Sequence, residues 1–157
     1  MKGKVVSVNI SEKKGVRKKP VGEASLEANF GMTGDAHASS KWHRQVSLLA
    51  LESIKKMQGL GFNVHPGDFA ENITTEGLDL VALPVGTKMT IGAMTEVEVS
   101  QIGKVCHTRC EIYNQAGECV MPKEGIFTRV INFKNIYRHF TSLLIEVYLA
   151  NIFGSKK

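Results

Sequence analysis

The run ENITTEGLDLVALPVGTKMTIGAMTEVEVSQIG, residues 71 to 103, decides how this chain folds. It contains ENITTEGLDL, LPVGTKMTIG and EVEVSQIG, each bounded by Gly or Pro and rich in β-branched residues. Val, Ile and Thr pack well on a pleated surface while Gly and Pro punctuate it, so the run predicts short strands. The same grammar recurs outward from it. Val5, Val6, Val8 and Ile10 mark a strand over 4–10; Ala24, Leu26, Ala28 and Phe30 alternate with polar residues over 24–30; Val46, Leu48 and Leu49 mark 45–49. GIFTRVINF, from residue 125, adds another. Many short strands with turn signals every eight to twelve residues or so predict a mostly β protein with few helices, a sandwich or closed barrel rather than a doubly wound sheet.

Two segments change period. LESIKKMQGLG, 51–61, sets Leu51, Ile54 and Met57 or Gln58 at helical spacing and stops at Gly59 and Gly61. KNIYRHFTSLLIEVYLANIFGSKK, 134–157, puts Ile136, Tyr137, Phe140, Leu143, Leu144, Val147 and Tyr148 on one helical face. The expectation is a C-terminal amphipathic helix packed on the barrel or on a second copy of the chain, a route to a homo-oligomer. A length of 157 residues with 43% hydrophobic content fits one domain, 1–157, with its core over about 4–130 and an atypical helical tail over 132–157.

No stretch approaches the roughly 20 apolar residues that span a bilayer, and KGKVVSVNI at the start lacks an apolar signal core. The expected compartment is the cytoplasm, with no membrane partner. Residues 1–20 hold seven Lys or Arg against Glu12 alone, whereas 21–157 carry thirteen basic and fourteen acidic residues, a nearly neutral body. KKGVRKKP, 13–20, reads as a solvated loop between strands or a cationic flap over an anionic ligand. It has no interleaved aromatic residue, which argues against nucleic acid as a partner.

Three segments carry candidate chemistry. In GMTGDAHASSKWHRQVSLL, 31–49, Gly31 and Gly34 flank a tight turn whose backbone N–H groups can approach an oxyanion, and Asp35, His37 and Arg44 follow. Arg44 suits a bidentate grip on phosphate, and His37 or His43 adds a switchable donor; Asp35 capping a turn is the plainer reading. In HPGDFAENITTEGLDL, 65–80, Glu71 and Asn72 stand at the lip of a strand, where Asn72 serves a turn more readily than a ligand.

VCHTRCEIYNQAGECV, 105–120, holds Cys106, Cys110 and Cys119. Three cysteines cannot all pair, and their spacing is not that of a zinc knuckle. Zinc shared with a histidine and inert burial stay open as alternatives. Arg109, His107 and Lys104 near Cys110 would favour its thiolate, a soft ligand for a soft metal or a sulfur atom.

Taken together, GMTGDAH with RQVSLLALES, PGDFAENITTEGLDL, LPVGTKMTIG, QIGKVCHTRC and MPKEGIF resemble the MOSC domain, the module named after the C-terminal part of molybdenum cofactor sulfurase, in its small stand-alone bacterial form. The resemblance covers about 4–130 and implies a closed barrel-like sheet that handles the molybdenum cofactor. It implies Cys110 as the catalytic, metal- or sulfur-contacting residue, with Cys106 as the second reading of that position, and Gly34, Asp35, His37, Arg44, Asn72 and Arg109 on the cofactor. The implied function is cofactor binding or sulfur carriage; a molybdenum-dependent reductase of N-hydroxylated compounds with a separate electron donor, or a non-catalytic accessory module of cofactor biosynthesis, are the alternatives. Pyridoxal phosphate binding attaches to the family only, since no such domain is expected here. Where small members have a closing strand, this chain runs into the apolar tail from Asn132, so either another segment or subunit is expected to close the barrel or the tail helix to cover its edge.

Overall fold

The computed structural model describes residues 1–92, 95–106, 113–114, 119–132 and 144–148. The stretch from 71 to 103 forms strands as its composition predicts: β6 (Ile73–Glu76), β7 (Lys88–Ile91) and β8 (Thr95–Ile102), with a 3-10 turn at Leu80–Ala82. β7 and β8 are antiparallel neighbours, Met89 opposite Val97 and Ile91 opposite Thr95, all four buried. The remaining major strands are β1 (Lys2–Ile10), β5 (Val46–Ala50), β9 (Ile126–Asn132) and β10 (Leu144–Tyr148). The short β2 (Lys19–Val21) pairs with the end of β1.

Around the ring the order is β1, β10, β7, β8, β9, β5, β6 and back to β1, a closed barrel of seven strands. Closure removes both edges, so nearly every strand residue finds a ladder partner within the ring. β5 and β6 are parallel, a pairing that needs a crossover, and α1 (Leu51–Gly59) supplies it. The barrel is filled by alternate residues of each strand, Val5, Leu48, Ile73, Met89, Val97, Val99 and Ile145 among them. Leu49 faces the other way, into a second apolar cluster with Ile54 and Met57 of α1, Phe69, Phe127 and Met121 of the short α2 (Met121–Glu124). All five residues of β5 are buried, Val46, Leu48, Leu49 and Ala50 by apolar packing and Ser47 by its hydrogen bonds to Asn72.

Three expectations change. The strand over 24–30 is instead a small hairpin, β3 (Leu26–Glu27) with β4 (Gly31–Met32). Asn29 sits at φ 52, and a Cβ on Gly31 (φ 122) would lie 2.5 Å from the Gln45 carbonyl oxygen, so the chain must turn where the alternation suggested it runs straight. The C-terminal amphipathic helix does not form over 144–148. There Ile145 and Val147 point inward and Leu144 outward, period two, and β10 pairs with β1 (Gly3 opposite Ile145) and with β7 (Ile91 opposite Ile145). LIEVY is rich in β-branched residues, and the open edges of β1 and β7 offer hydrogen bonds that a helix on the surface would leave unmade. The closing strand is present, and the expected oligomer helix loses this part of its face; Ile136, Tyr137, Phe140 and Leu143 lie outside the described residues. Third, the basic run 13–20 does join β1 to β2, but Lys18 within it is buried rather than solvated.

Candidate functional site

A cleft of about 430 Å³ opens beside the barrel, walled by Lys14 of the β1–β2 loop, His37, Lys41, Trp42 and Arg44 of the segment before β5, Ser47, Asn72, Lys104 after β8, and Phe127 of β9. Lys14, Lys41, Arg44 and Lys104 are cationic, and no carboxylate appears among the described lining residues. A cavity of about 520 Å³ on the α1 side is larger, but its Lys56 and Lys123 are offset by Glu52, Asp79 and Glu124. A third, of about 510 Å³, sets Lys13, Arg17 and Lys19 beside Glu12; of the three, the first alone is cationic with no carboxylate among its described lining residues, the condition that draws an anion in.

Arg44 is held firmly. Its Nε donates to Gln101 Oε1 at 2.9 Å, and Gln101 is fixed in turn by donating to the Gly103 carbonyl at 2.7 Å. The guanidinium lies 5.1 Å from the Phe127 ring centre and 5.7 Å from that of Trp42. Stacking and one side bond fix the plane of the fork and leave its terminal nitrogens without a hydrogen bond among the described residues. Asn72 is sealed at 1% exposure: its Oδ1 accepts from Ser47 N and Oγ at 3.1 and 2.9 Å, and its Nδ2 donates to the Asn9 carbonyl at 3.3 Å. It ties the lip of β6 to β5 and β1 behind the cleft surface.

Behind His37 lies a buried ion pair. Lys18 Nζ, with no side-chain exposure, donates to Asp35 Oδ2 in a short contact. Asp35 also accepts from Ser11 N at 3.1 Å and from His37 N at 3.0 Å. Burial would raise this carboxyl, but the hydrogen bonds from His37 and Lys18 and the charge of Lys18 outweigh it and hold Asp35 well below the usual carboxylate range. Burial pushes Lys18 down, and Asp35 counters it. Glu71, fully buried nearby, is pushed up to about 7 by desolvation despite donors from Gly67 N, Thr74 Oγ1 and Phe69 N.

Of the residues expected from sequence, His37, Arg44 and Asn72 come to one cleft. Asp35 stands behind it, and Gly34, at φ 82, shapes the exposed turn without lining the cleft. Arg109 and Cys110 lie outside the described residues. Cys106 is exposed and Cys119 half-buried against the second cluster, and neither lines the cleft. Sequence reasoning reached Lys14 only as part of a basic run read as a solvated loop or a cationic flap, and did not assign Lys41, Trp42 or Phe127 to the site. Trp42 and Lys41 adjoin His43 and Arg44 in the chain, a signal that was there to use; the approach of Phe127 is purely tertiary.

A model of the MOSC domain family matches residues 29–136, and the chain belongs to that family, one related to the molybdenum cofactor. No curated protein sequence matches the chain. Among solved structures, the chain is similar to the YuaD protein from Bacillus subtilis, at 17% identity and TM-score 0.76, covering 94% of this chain and 96% of that one. It is also similar to YiiM from Geobacillus stearothermophilus, at 18% identity and TM-score 0.69, over 96% of this chain and 77% of that one. YiiM from Escherichia coli gives 17% identity and TM-score 0.66, over 96% and 71%. At these identities the likeness is one of fold. Among the described residues no helix is long and apolar enough to cross a membrane.

Proposed function

We propose that this chain, as one MOSC domain, binds the molybdenum cofactor in the cationic cleft and carries it or its sulfur, with Cys110 contacting the metal or the sulfur. The observation that carries the reading is the lining itself: Lys14, Lys41, Arg44 and Lys104 around one opening, free of carboxylates among the described residues, beside the flat faces of Trp42 and Phe127. That donor set fits a cofactor with a phosphate at one end and a planar pterin beyond it. Arg44 and the lysines would hold the phosphate, and the aromatic wall would lie along the ring system. When bound, the cofactor supplies a molybdenum centre for sulfur or oxygen chemistry. Gly34, Asp35, His37, Asn72 and Arg109 complete the set that supports it, Asp35 and Asn72 by fixing the walls.

Metal and pterin analysis of protein expressed with intact cofactor synthesis tests this directly. The expected result is molybdenum and pterin in the wild type, with loss of metal but a retained fold in Cys110→Ser. Arg44→Ala should lower cofactor occupancy about tenfold or more, since a charged hydrogen bond contributes roughly 1.5–3 kcal/mol, and Arg44→Lys should not restore it. Wild-type protein free of both metal and pterin would sink the reading. Turnover of N-hydroxylated substrates with an added electron donor would move it from carrier to reductase.

A further inference from the structure

The arrangement behind the cleft goes further than the binding reading and does not depend on which anion enters. Lys18 Nζ has three protons and no lone pair. It faces three acceptors: Asp35 Oδ2 in a short contact, Ser11 Oγ at 3.4 Å and His37 Nδ1 at 3.2 Å. Ser11 Oγ donates its own proton to the Lys13 carbonyl at 2.9 Å, which leaves its oxygen as an acceptor toward Lys18. An Nδ1–H ring would instead donate to Asp35 Oδ1, farther off at 3.4 Å and already accepting the His37 backbone N–H at 3.0 Å, and would set that proton against the ammonium 3.2 Å away. The third proton of Lys18 is therefore matched only if His37 Nδ1 carries a lone pair.

The geometry points to Lys18 and Asp35 as positioning residues that fix His37 as its Nε2–H tautomer, turning the inner edge of the ring to the ion pair and presenting one directed N–H donor to an oxyanion in the cleft. His37 is well placed for this. It lines the cleft with its side chain 37% exposed, while the two groups that orient it are sealed at 0% and 1%. Fixing a ring from behind by a buried donor sets which nitrogen is protonated and removes the rotamer freedom that a surface histidine would lose on binding. The loop lysines Lys14 and Lys41 draw the anion by charge; His37 adds direction that a mobile ammonium does not supply.

Nitrogen-15 NMR of the full chain at about pH 8.5, where an ordinary imidazole is neutral, reads the tautomer from the ring nitrogens. The His37 signals are assigned by their loss in His37→Gln. The wild type should show Nε2–H, with Nδ1 unprotonated. Lys18→Met should shift His37 toward Nδ1–H, while Lys18→Arg, which keeps a donor, should retain Nε2–H. Where Lys18→Met fails to fold, the wild-type tautomer and the phosphate titration carry the test. Inorganic phosphate titrated into the wild type should move the Nε2 resonance, and His37→Ala should weaken phosphate binding roughly three- to tenfold, as for the loss of one hydrogen bond. An Nδ1–H ring in the wild type, a tautomer unchanged in folded Lys18→Met, or a phosphate titration that leaves Nε2 unmoved would each overturn the assignment.

Discussion

Asp35 and Glu71 are two carboxylates removed from water on neighbouring parts of the same seam, and they end in opposite states. Asp35 has an ammonium in contact, and its carboxyl is held well below the usual range even though burial opposes ionisation. Glu71 has three donors, Gly67 N at 2.6 Å, Thr74 Oγ1 at 2.8 Å and Phe69 N at 3.2 Å, yet is pushed up to about 7. Lys18 feels the charge of Glu71 as well, but its protons go to Asp35, Ser11 and His37. Dipoles from neutral donors do not offset the loss of water around a whole charge; a contacting cation does. One carboxylate is thereby committed to holding the cleft wall, and the other is left free to change its protonation near neutral pH.

The most direct way to break this contrast is to remove the cation's partner. Asp35→Ala strands Lys18 in the interior with only Ser11 and His37 to accept from it. The loss expected for a buried pair broken on one side is about 3–5 kcal/mol, read by urea or guanidinium unfolding. A loss under about 1 kcal/mol would mean that water reaches Lys18 and that the pair is not sealed.

The next largest effect is a pH dependence that runs in opposite directions for the two groups. The folded value of Asp35 lies below its ordinary 3.8, so the stability it contributes is present above that point and is lost on acidification. Glu71 is raised from 4.5 to about 7, so the folded state holds a proton that the unfolded chain has released. Its contribution is complete below about 4.5 and disappears as pH rises to 7, a loss of roughly 3 kcal/mol. Stability should therefore fall between pH 5 and 7, counter to the usual acid-labile pattern, and the fall should vanish in Glu71→Gln. A flat profile in the wild type over that window would show Glu71 to be ionised.

Much of this architecture was legible in the residues, and the parts that were not share a cause. The strands at 2–10, 46–50, 73–76, 88–91, 95–102 and 126–132 announce themselves because at least one face is rich in apolar or β-branched residues and the turns carry Gly or Pro. β10 did not, since Leu144, Val147 and Tyr148 satisfy a helical period as well as a strand's; the choice is made by the backbone of β1 and β7, which flank β10 in the barrel but lie more than a hundred and more than fifty residues before it in the chain. The cleft follows the same rule. Arg44 and His37 stood out by type and turn context, whereas the burial of Lys18 could not be read from a run of lysines that looks solvated throughout. Lys18 and Asp35 lie seventeen positions apart, and only the fold of β1 against the 31–35 turn joins them.

The smallest change sharpens the contrast most cleanly. Thr74 Oγ1 donates to Glu71 Oε1 at 2.8 Å and is itself fully buried, with Asn9 Nδ2 a distant 3.4 Å from the hydroxyl. Thr74→Val keeps the shape and removes a donor that favours the ionised form. Above pH 7, where Glu71 is charged, the variant should lose about 1 kcal/mol relative to the wild type, the ordinary value of a buried hydrogen bond. Below pH 5 the carboxyl is protonated in both proteins and the difference should shrink. The folded value of Glu71 should thus move further up, and the fall in stability should extend to higher pH, while the acid limb set by Asp35 stays where it was. An equal loss at both ends of the range would assign Thr74 to packing alone and leave the height of Glu71 to burial without help from its donors.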